Sequence, residues 1–96
     1  MKYNNFIQST KKQNPPKSLT QIELAIWHIV NNNWDSAHSV AQKINNEIGF
    51  WIHAHIHRLE GDISNANYWY SKANRHIPNN TLKEELKQII QHITQK

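Results

Sequence analysis

The stretch FWIHAHIHRLEGD, residues 50 to 62, places a histidine at every second position, with an alanine or an isoleucine between them. Such strict alternation is typical of a β-strand with one buried face. The stretch is long for a strand, however, and its residues Ile52, Ile56 and Leu59 also fit a helical stripe. No other segment offers a strand to pair with, and an isolated strand would leave its backbone groups unmatched. We therefore predict a helix.

A helix separates the three histidines. At about 100° per residue, His53 and His57 lie one turn apart on one face, while His55 points to the nearly opposite side. His38, on the preceding helix, supplies a third imidazole if the two helices pack side by side. The set His38, His53 and His57 predicts a metal site, with zinc as the candidate ion, or a small-ligand site. The alternative is that His53 and His57 are hydrogen-bonding residues of a helix seam.

An internal repeat relates two segments of the chain at an offset of 29 residues. The matched pairs are Ala25 with Ala54, His28 with His57, Asn32 with Gly61, Asn33 with Asp62, and Ala37 with Ala66. Asn32 and Gly61 are residue types that tolerate the left-handed conformation after a helix. Asn33 and Asp62 are favoured helix caps. The repeat predicts two helix pairs in tandem.

The second helix pair carries small and aromatic residues at regular positions. These are Phe50, Ala54, Ala66, Tyr70 and Ala73, followed by Pro78. In order and spacing they resemble the tetratricopeptide repeat, and GDISNANYWYSKA, residues 61 to 73, is similar to the Sel1-like signature. The resemblance covers residues 18 to 78 and implies stacked helical hairpins with a protein-interaction function. The stretch from residue 34 to 70 also looks like a family of short bacterial proteins of unknown activity.

In the repeat proteins that this chain resembles, the first helix of each hairpin lines a concave surface. The corresponding face here carries Trp51, His55, Arg58 and Asp62 at three- or four-residue steps. Aromatic and arginine side chains are common anchors of binding surfaces, so this face is a candidate groove for a protein or peptide partner, or for self-association. Alternatively, Trp51 belongs to the core, Arg58 is solvated and Asp62 only caps the next helix. Trp69 either packs under the last helix or stacks on a ligand.

The chain divides into a polar leader and a single helical domain. Residues 1 to 17 lack periodicity and end in Asn-Pro-Pro, which predicts a disordered leader. Residues 18 to 96 predict an all-α domain of two hairpins and a C-terminal capping helix. The five predicted helices cover about residues 18–31, 34–48, 50–60, 63–75 and from 81 onward. Capping boxes are predicted at Ser18 with Gln21 and at Thr81 with Glu84.

Composition excludes several function classes. The chain has no cysteine, and therefore no disulfide, thiolate zinc site or thiol nucleophile. Its net charge of +4 comes from the first 17 residues, so the predicted domain is neutral and nucleic-acid binding is not expected. No apolar run indicates a signal peptide or a membrane span. We also find no phosphate loop or nucleophile motif. We expect a cytoplasmic, non-enzymatic interaction module, with ligand or metal binding as the alternative.

Overall fold

The computed structural model describes residues 2–94, and all regular secondary structure within that range is helical. The six helices are α1 Tyr3–Ser9, α2 Gln21–Val30, α3 Trp34–Ala41, α4 Glu47–Leu59, α5 Ile63–Lys72 and α6 Leu82–Thr94. The prediction of an all-α fold is confirmed, and the stretch WIHAHIH lies inside α4. The predicted number of five helices is wrong, because α1 forms within the leader. That the helix pairs are tetratricopeptide-like hairpins stays a prediction.

The first helix is part of the packed structure. Phe6 is fully buried, and Tyr3 and Ile7 pack against the core. The indole N–H of Trp27 donates to the backbone carbonyl of Ser9 over 2.9 Å, which ties the end of α1 to α2. The prediction of a disordered leader is therefore wrong for the residues of α1, because their apolar side chains find a site against α2 and α6.

Two capping boxes set the starts of α2 and α6. Thr20 Oγ1 accepts from the backbone N–H of Glu23 over 3.2 Å, and the Glu23 carboxylate accepts from the Thr20 N–H over 2.9 Å. The box therefore lies two residues beyond the one predicted at Ser18, and its acidic member interacts more favourably with the helix N-terminus than Gln21 would. The box predicted at Thr81 and Glu84 is confirmed, with hydrogen bonds of 2.9 and 3.1 Å.

The loop between α3 and α4 departs from the prediction of one helix over residues 34–48. Asn46 caps α4, and its side-chain oxygen accepts from the Gly49 N–H over 2.9 Å. A Cβ atom at Gly49 would overlap the carbonyl oxygen and the side chain of Ile44. A glycine is therefore needed where this loop lies directly on α4, one turn before His53.

Matched corners connect α2 to α3 and α4 to α5. Asn32 and Gly61 have φ angles of 60° and 80°, as the repeat predicts. The backbone N–H of Asn33 donates to the backbone carbonyl of His28 over 2.8 Å. In the second repeat, the backbone N–H of Asp62 donates to the carbonyl of the equivalent histidine over 2.9 Å. The Asp62 side chain caps α5 by accepting from the backbone N–H of residue 65. Asn33 makes no side-chain cap bond, so that part of the cap prediction is wrong.

The core lies around α4. Helix α2 packs on α3 and α4 on α5, while α6 contacts α4, α2 and α1. Ala25, Ala37, Ala54 and Ala66 are all at most 1% exposed, as expected for small residues where helices cross. Residues 51–56 of α4 are buried without interruption, because α3 and α5 cover one side of the helix and α6 covers another. None of the helices in residues 2–94 combines the length and apolar character that crossing a bilayer requires.

Candidate functional site

Three histidines meet between α3 and α4. We call His38, His53 and His57 the imidazole cluster; each offers one donor atom, and these atoms lie within 4.8 Å of one another. The ring centroids of His38 and His53 are 4.5 Å apart, those of His38 and His57 5.6 Å, and those of His53 and His57 4.9 Å. The side-by-side packing that the sequence interpretation required of His38 is therefore present, and His55 lies outside the cluster.

Aromatic and acidic neighbours surround the imidazole cluster. Trp69 of α5 stacks on His53, with centroids 3.9 Å apart and planes 11° from parallel. Trp69 therefore packs against α4. The sequence alone suggests two other positions for this side chain, under the last helix or on a bound ligand. Glu60 Oε1 lies 3.2 Å from His57 Nδ1, but that nitrogen forms no hydrogen bond in the present ring orientation. Metal-binding histidines commonly direct their second nitrogen to such a carboxylate.

The electrostatics of the cluster favour a neutral imidazole at His53. Burial, together with the positive charges that His38, His57 and Lys72 can carry, lowers the pKa of His53 to about 4. A ring with this pKa is uncharged at pH 7 and has a lone pair to offer. A metal ion can accept this lone pair. Protonation of adjacent imidazoles would instead place like charges next to one another.

The donor set fits a borderline transition metal. Imidazole nitrogens suit zinc, nickel and copper, whereas magnesium and calcium prefer oxygen ligands. A tetrahedral zinc ion with bonds of about 2.0 Å would hold the nitrogens roughly 3.3 Å apart, so the donor atoms, now within 4.8 Å of one another, would have to approach by up to about 1.5 Å. The three protein ligands would leave a fourth position to water or to an external ligand.

A second polar cluster lies on the side of α4 that faces α6. We call Glu85, Trp51, His55, Arg58 and Tyr70 the Glu85 cluster. The Glu85 carboxylate is 1% exposed and accepts from Trp51 Nε1 at 3.1 Å, His55 Nδ1 at 2.6 Å and Arg58 at 3.0 Å. The Tyr70 hydroxyl lies 2.6 and 2.8 Å from its two oxygens. A second nitrogen of Arg58 donates to the backbone carbonyl of Asn80, which fixes the loop before α6.

Hydrogen bonds keep Glu85 ionised in spite of its burial. Burial by itself raises the pKa of this carboxyl group, but the hydrogen bonds from His55 and Tyr70, the attraction of the His55 ring and the hydrogen bond from Trp51 lower it to about 2. Burial and the adjacent carboxylate raise the pKa of Tyr70, so its hydroxyl stays protonated and donates. The Arg58 guanidinium supplies the opposite charge that a buried carboxylate needs.

The candidate partner groove predicted on α4 is therefore covered by the chain itself. Trp51 and His55 are 4% and 0% exposed, and α6 occupies the face that they share with Arg58. The prediction of an accessible groove is wrong for this structure, because Glu85 satisfies the same donors that a partner would use. Asp62 caps α5, as the alternative interpretation held.

Sequence reasoning missed Glu85 and Tyr70 as members of this cluster. One signal for Glu85 was present, since Leu82, Glu85, Leu86 and Ile89 follow the three- and four-residue steps of a single helix face. A glutamate within an apolar stripe is rarely buried unless it is paired. The identity of its partners, 15 to 34 residues earlier in the chain, carried no local signal.

Comparisons with protein-family models, with curated proteins and with solved structures find no match to this chain. The resemblance to tetratricopeptide and Sel1-like repeats accordingly stays a prediction.

The Glu85 cluster predicts a loss of stability in acid. The pKa of Glu85 is about 2 in the folded chain against 4.5 in the unfolded chain, so the unfolded state binds more protons between these values. Its contribution is complete above pH 4.5 and disappears as the pH falls towards 2, at a cost of up to about 3 kcal/mol. Urea unfolding at pH 6, 4 and 3 measures this change. A carboxyl ¹³C midpoint for Glu85 near pH 4.5 in the folded protein would contradict it.

Proposed function

We propose that this protein binds a transition-metal ion, with zinc as the most suitable, through His38, His53 and His57. The observation that carries the proposal is the convergence of three imidazole donor atoms within 4.8 Å. Two neighbouring helices contribute them, so the folded chain brings them together before any ion arrives. The lowered pKa of His53 supports the proposal, because a neutral ring is the form that binds metal.

The fourth position gives the bound ion a function beyond structure. His38 and His57 are only partly buried, which leaves the ion open to water, an anion or a side chain of another protein. We therefore propose a metal-binding protein in which the ion is exposed to an external ligand. Glu60, beside His57, would orient that imidazole once its ring turns to form the hydrogen bond.

Zinc should raise the melting temperature of the protein. A ligand at one hundred times its Kd stabilises the folded state by about 2.7 kcal/mol, which for a domain of this size corresponds to a shift on the order of 10 °C. Thermal unfolding at pH 7.5 with zinc, and with magnesium as the control ion, measures the shift. We expect a large effect for zinc and none for magnesium, and calorimetry should give one zinc per chain.

Substitutions then locate the ion. The zinc shift should disappear in His53→Ala and in His57→Ala but persist in His76→Ala, a matched change at an exposed histidine outside the cluster. Broadening of the His38, His53 and His57 ring signals by cobalt(II) in the unmodified protein gives the same answer without relying on the folding of a variant. Equal zinc shifts in His53→Ala and His76→Ala, together with unbroadened cluster signals, would contradict the proposal.

Recognition of a protein segment, or self-association, through Trp51, His55 and Arg58 stays a prediction. These side chains bind Glu85 of the same chain, so a partner reaches them only if α6 is displaced. A pull-down that Trp51→Ala or Arg58→Ala abolishes, with the fold intact, would support this function over metal binding.

A further inference from the structure

Three aromatic rings of α4 and α5 surround the side-chain ammonium of Lys72. Its Nζ atom lies 4.7 Å from the ring centroid of Trp69, 4.8 Å from that of Phe50 and 5.6 Å from that of Tyr68. A cation within about 6 Å of a ring centroid is attracted by the negative face of the ring. We call Phe50, Tyr68 and Trp69 the aromatic cage, because all three rings attract the same cation.

The rings of the aromatic cage have different orientations, so they form walls and not a single stack. Tyr68 is almost perpendicular to Trp69, at 89°, and Phe50 is tilted from Trp69 by 40°. Trp69 is held by its stacking on His53, and Phe50 packs against the core. Two of the three walls are therefore in place whether or not Lys72 fills the cage.

Lys72 is a weakly held occupant of the aromatic cage. Its side chain is exposed, and among residues 2–94 no acidic group forms an ion pair with it. A lysine ammonium is strongly hydrated and has three N–H donors, whereas the face of a ring offers no lone pair to accept from them. A cation–π contact at an exposed position is also weak. Another cation can therefore replace this ammonium at little cost.

A quaternary ammonium group matches the aromatic cage better than lysine does. It has no N–H donors to satisfy, and cages of aromatic rings are the usual sites for such groups. A ligand with only a positive charge would, however, be repelled by the displaced ammonium of Lys72. A carboxylate on the same ligand removes this repulsion, because the displaced ammonium pairs with it. The chemistry of the site therefore favours a zwitterion.

We propose that the aromatic cage binds a betaine, a small molecule that carries a trimethylammonium group and a carboxylate. The trimethylammonium group takes the position of Lys72 Nζ between the three rings. The flexible side chain of Lys72 swings outward and pairs with the carboxylate. The cage adjoins the imidazole cluster through Trp69, but it includes none of the three histidines and needs no metal ion. Betaine binding is therefore separate from the proposed metal-binding function.

Three small molecules test the two charges of the ligand separately. Glycine betaine has both charges, choline lacks the carboxylate, and the tert-butylacetate anion has the shape of glycine betaine without its positive charge. Titration of the metal-free protein, followed by the NMR signals of the Trp69 indole, should show saturable binding of glycine betaine. We expect choline to bind about threefold more weakly and tert-butylacetate at least roughly tenfold more weakly.

Two results of these titrations would overturn the proposal. One is a set of Trp69 signals that do not move in a large excess of glycine betaine. The other is an affinity for choline or for tert-butylacetate that equals or exceeds the affinity for glycine betaine.

Substitutions at two exposed positions locate the ligand without disturbing the core. Tyr68→Ala removes one wall and should weaken glycine betaine binding roughly two- to fivefold, whereas Tyr68→Phe keeps the ring and should leave the affinity unchanged. Lys72→Met removes both the competing cation and the partner of the carboxylate, so the preference for glycine betaine over choline should disappear. Equal affinities in the two Tyr68 variants, or a preference that persists in Lys72→Met, would contradict a site in the cage. The zinc response should be the same in both Tyr68 variants, so this test and the metal test fail or succeed separately.

Discussion

Glu85→Ala should lower the free energy of unfolding by about 3–5 kcal/mol, because it leaves a partly buried guanidinium without its counter-charge. The side chains of Trp51, His55 and Tyr70 also lose the acceptor that each of them uses. Small domains are stable by only about 5–15 kcal/mol. Urea unfolding at pH 7 should therefore show a much lower midpoint or a population that is already unfolded.

Glu84→Ala is the matched control for this change. Glu84 is the adjacent acid on α6 and is exposed to solvent, so its replacement removes only a capping-box hydrogen bond and should lower the free energy of unfolding far less. Glu85→Gln should fall between the two, since an amide keeps an acceptor oxygen but not the charge. If Glu85→Ala lowers the free energy of unfolding no more than Glu84→Ala does, the buried carboxylate does not hold α6 on α4.

Phe6→Ala should destabilise the protein by about 3–5 kcal/mol, the usual cost of removing a fully buried aromatic side chain. The change removes the main apolar contact of α1 and leaves a cavity between α1 and the core. Loss of α1 should also expose the indole N–H of Trp27, which donates to Ser9. Faster hydrogen exchange at that N–H, measured by NMR, reports the local detachment directly.

Asn5→Ala provides the comparison within the same helix. Asn5 is exposed, so we expect its replacement to change stability by less than about 0.5 kcal/mol. A disordered leader would make Phe6→Ala equally harmless. Similar unfolding midpoints for the two variants would mean that α1 does not contribute to the core.

Much of the fold could be predicted because its signals are local. The corners at Asn32 and Gly61, the box at Thr81 and the helix over WIHAHIH each depend on residues within one or two turns. The first capping box was misplaced because Ser18 and Thr20 are both suitable caps with a suitable residue three positions later. The two candidates differ only in that the residue three positions after Thr20, Glu23, is acidic.

Helix α1 was missed because polar residues dominate its sequence. Tyr3, Phe6 and Ile7 do follow helical spacing, but a seven-residue helix has little stability of its own. Its formation depends on the site that α2 and α6 provide for Phe6. Contacts of this kind are set by tertiary packing, which no window of the sequence contains.

The two candidate sites on α4 also differ in how far apart in the sequence their residues lie. The spacing of His53 and His57 is local, and it indicated the face on which His38 could join them. The role of Trp51 and His55 depends on Glu85, which lies about thirty residues later in the chain. An exposed-looking face on a predicted helix is therefore a weak guide to a binding surface until the position of every later helix is known.

The four tryptophans lie at four different contacts between parts of the molecule. Trp27 reports the docking of α1, Trp51 that of α6, Trp69 the state of His53, and Trp34 the corner between α2 and α3. The rings next to the indole, or its exposure to solvent, differ from one tryptophan to the next. Variants that retain one tryptophan at a time would turn intrinsic fluorescence into four separate optical channels, so that detachment of α1, detachment of α6, ion binding and movement of the α2–α3 corner can be followed individually.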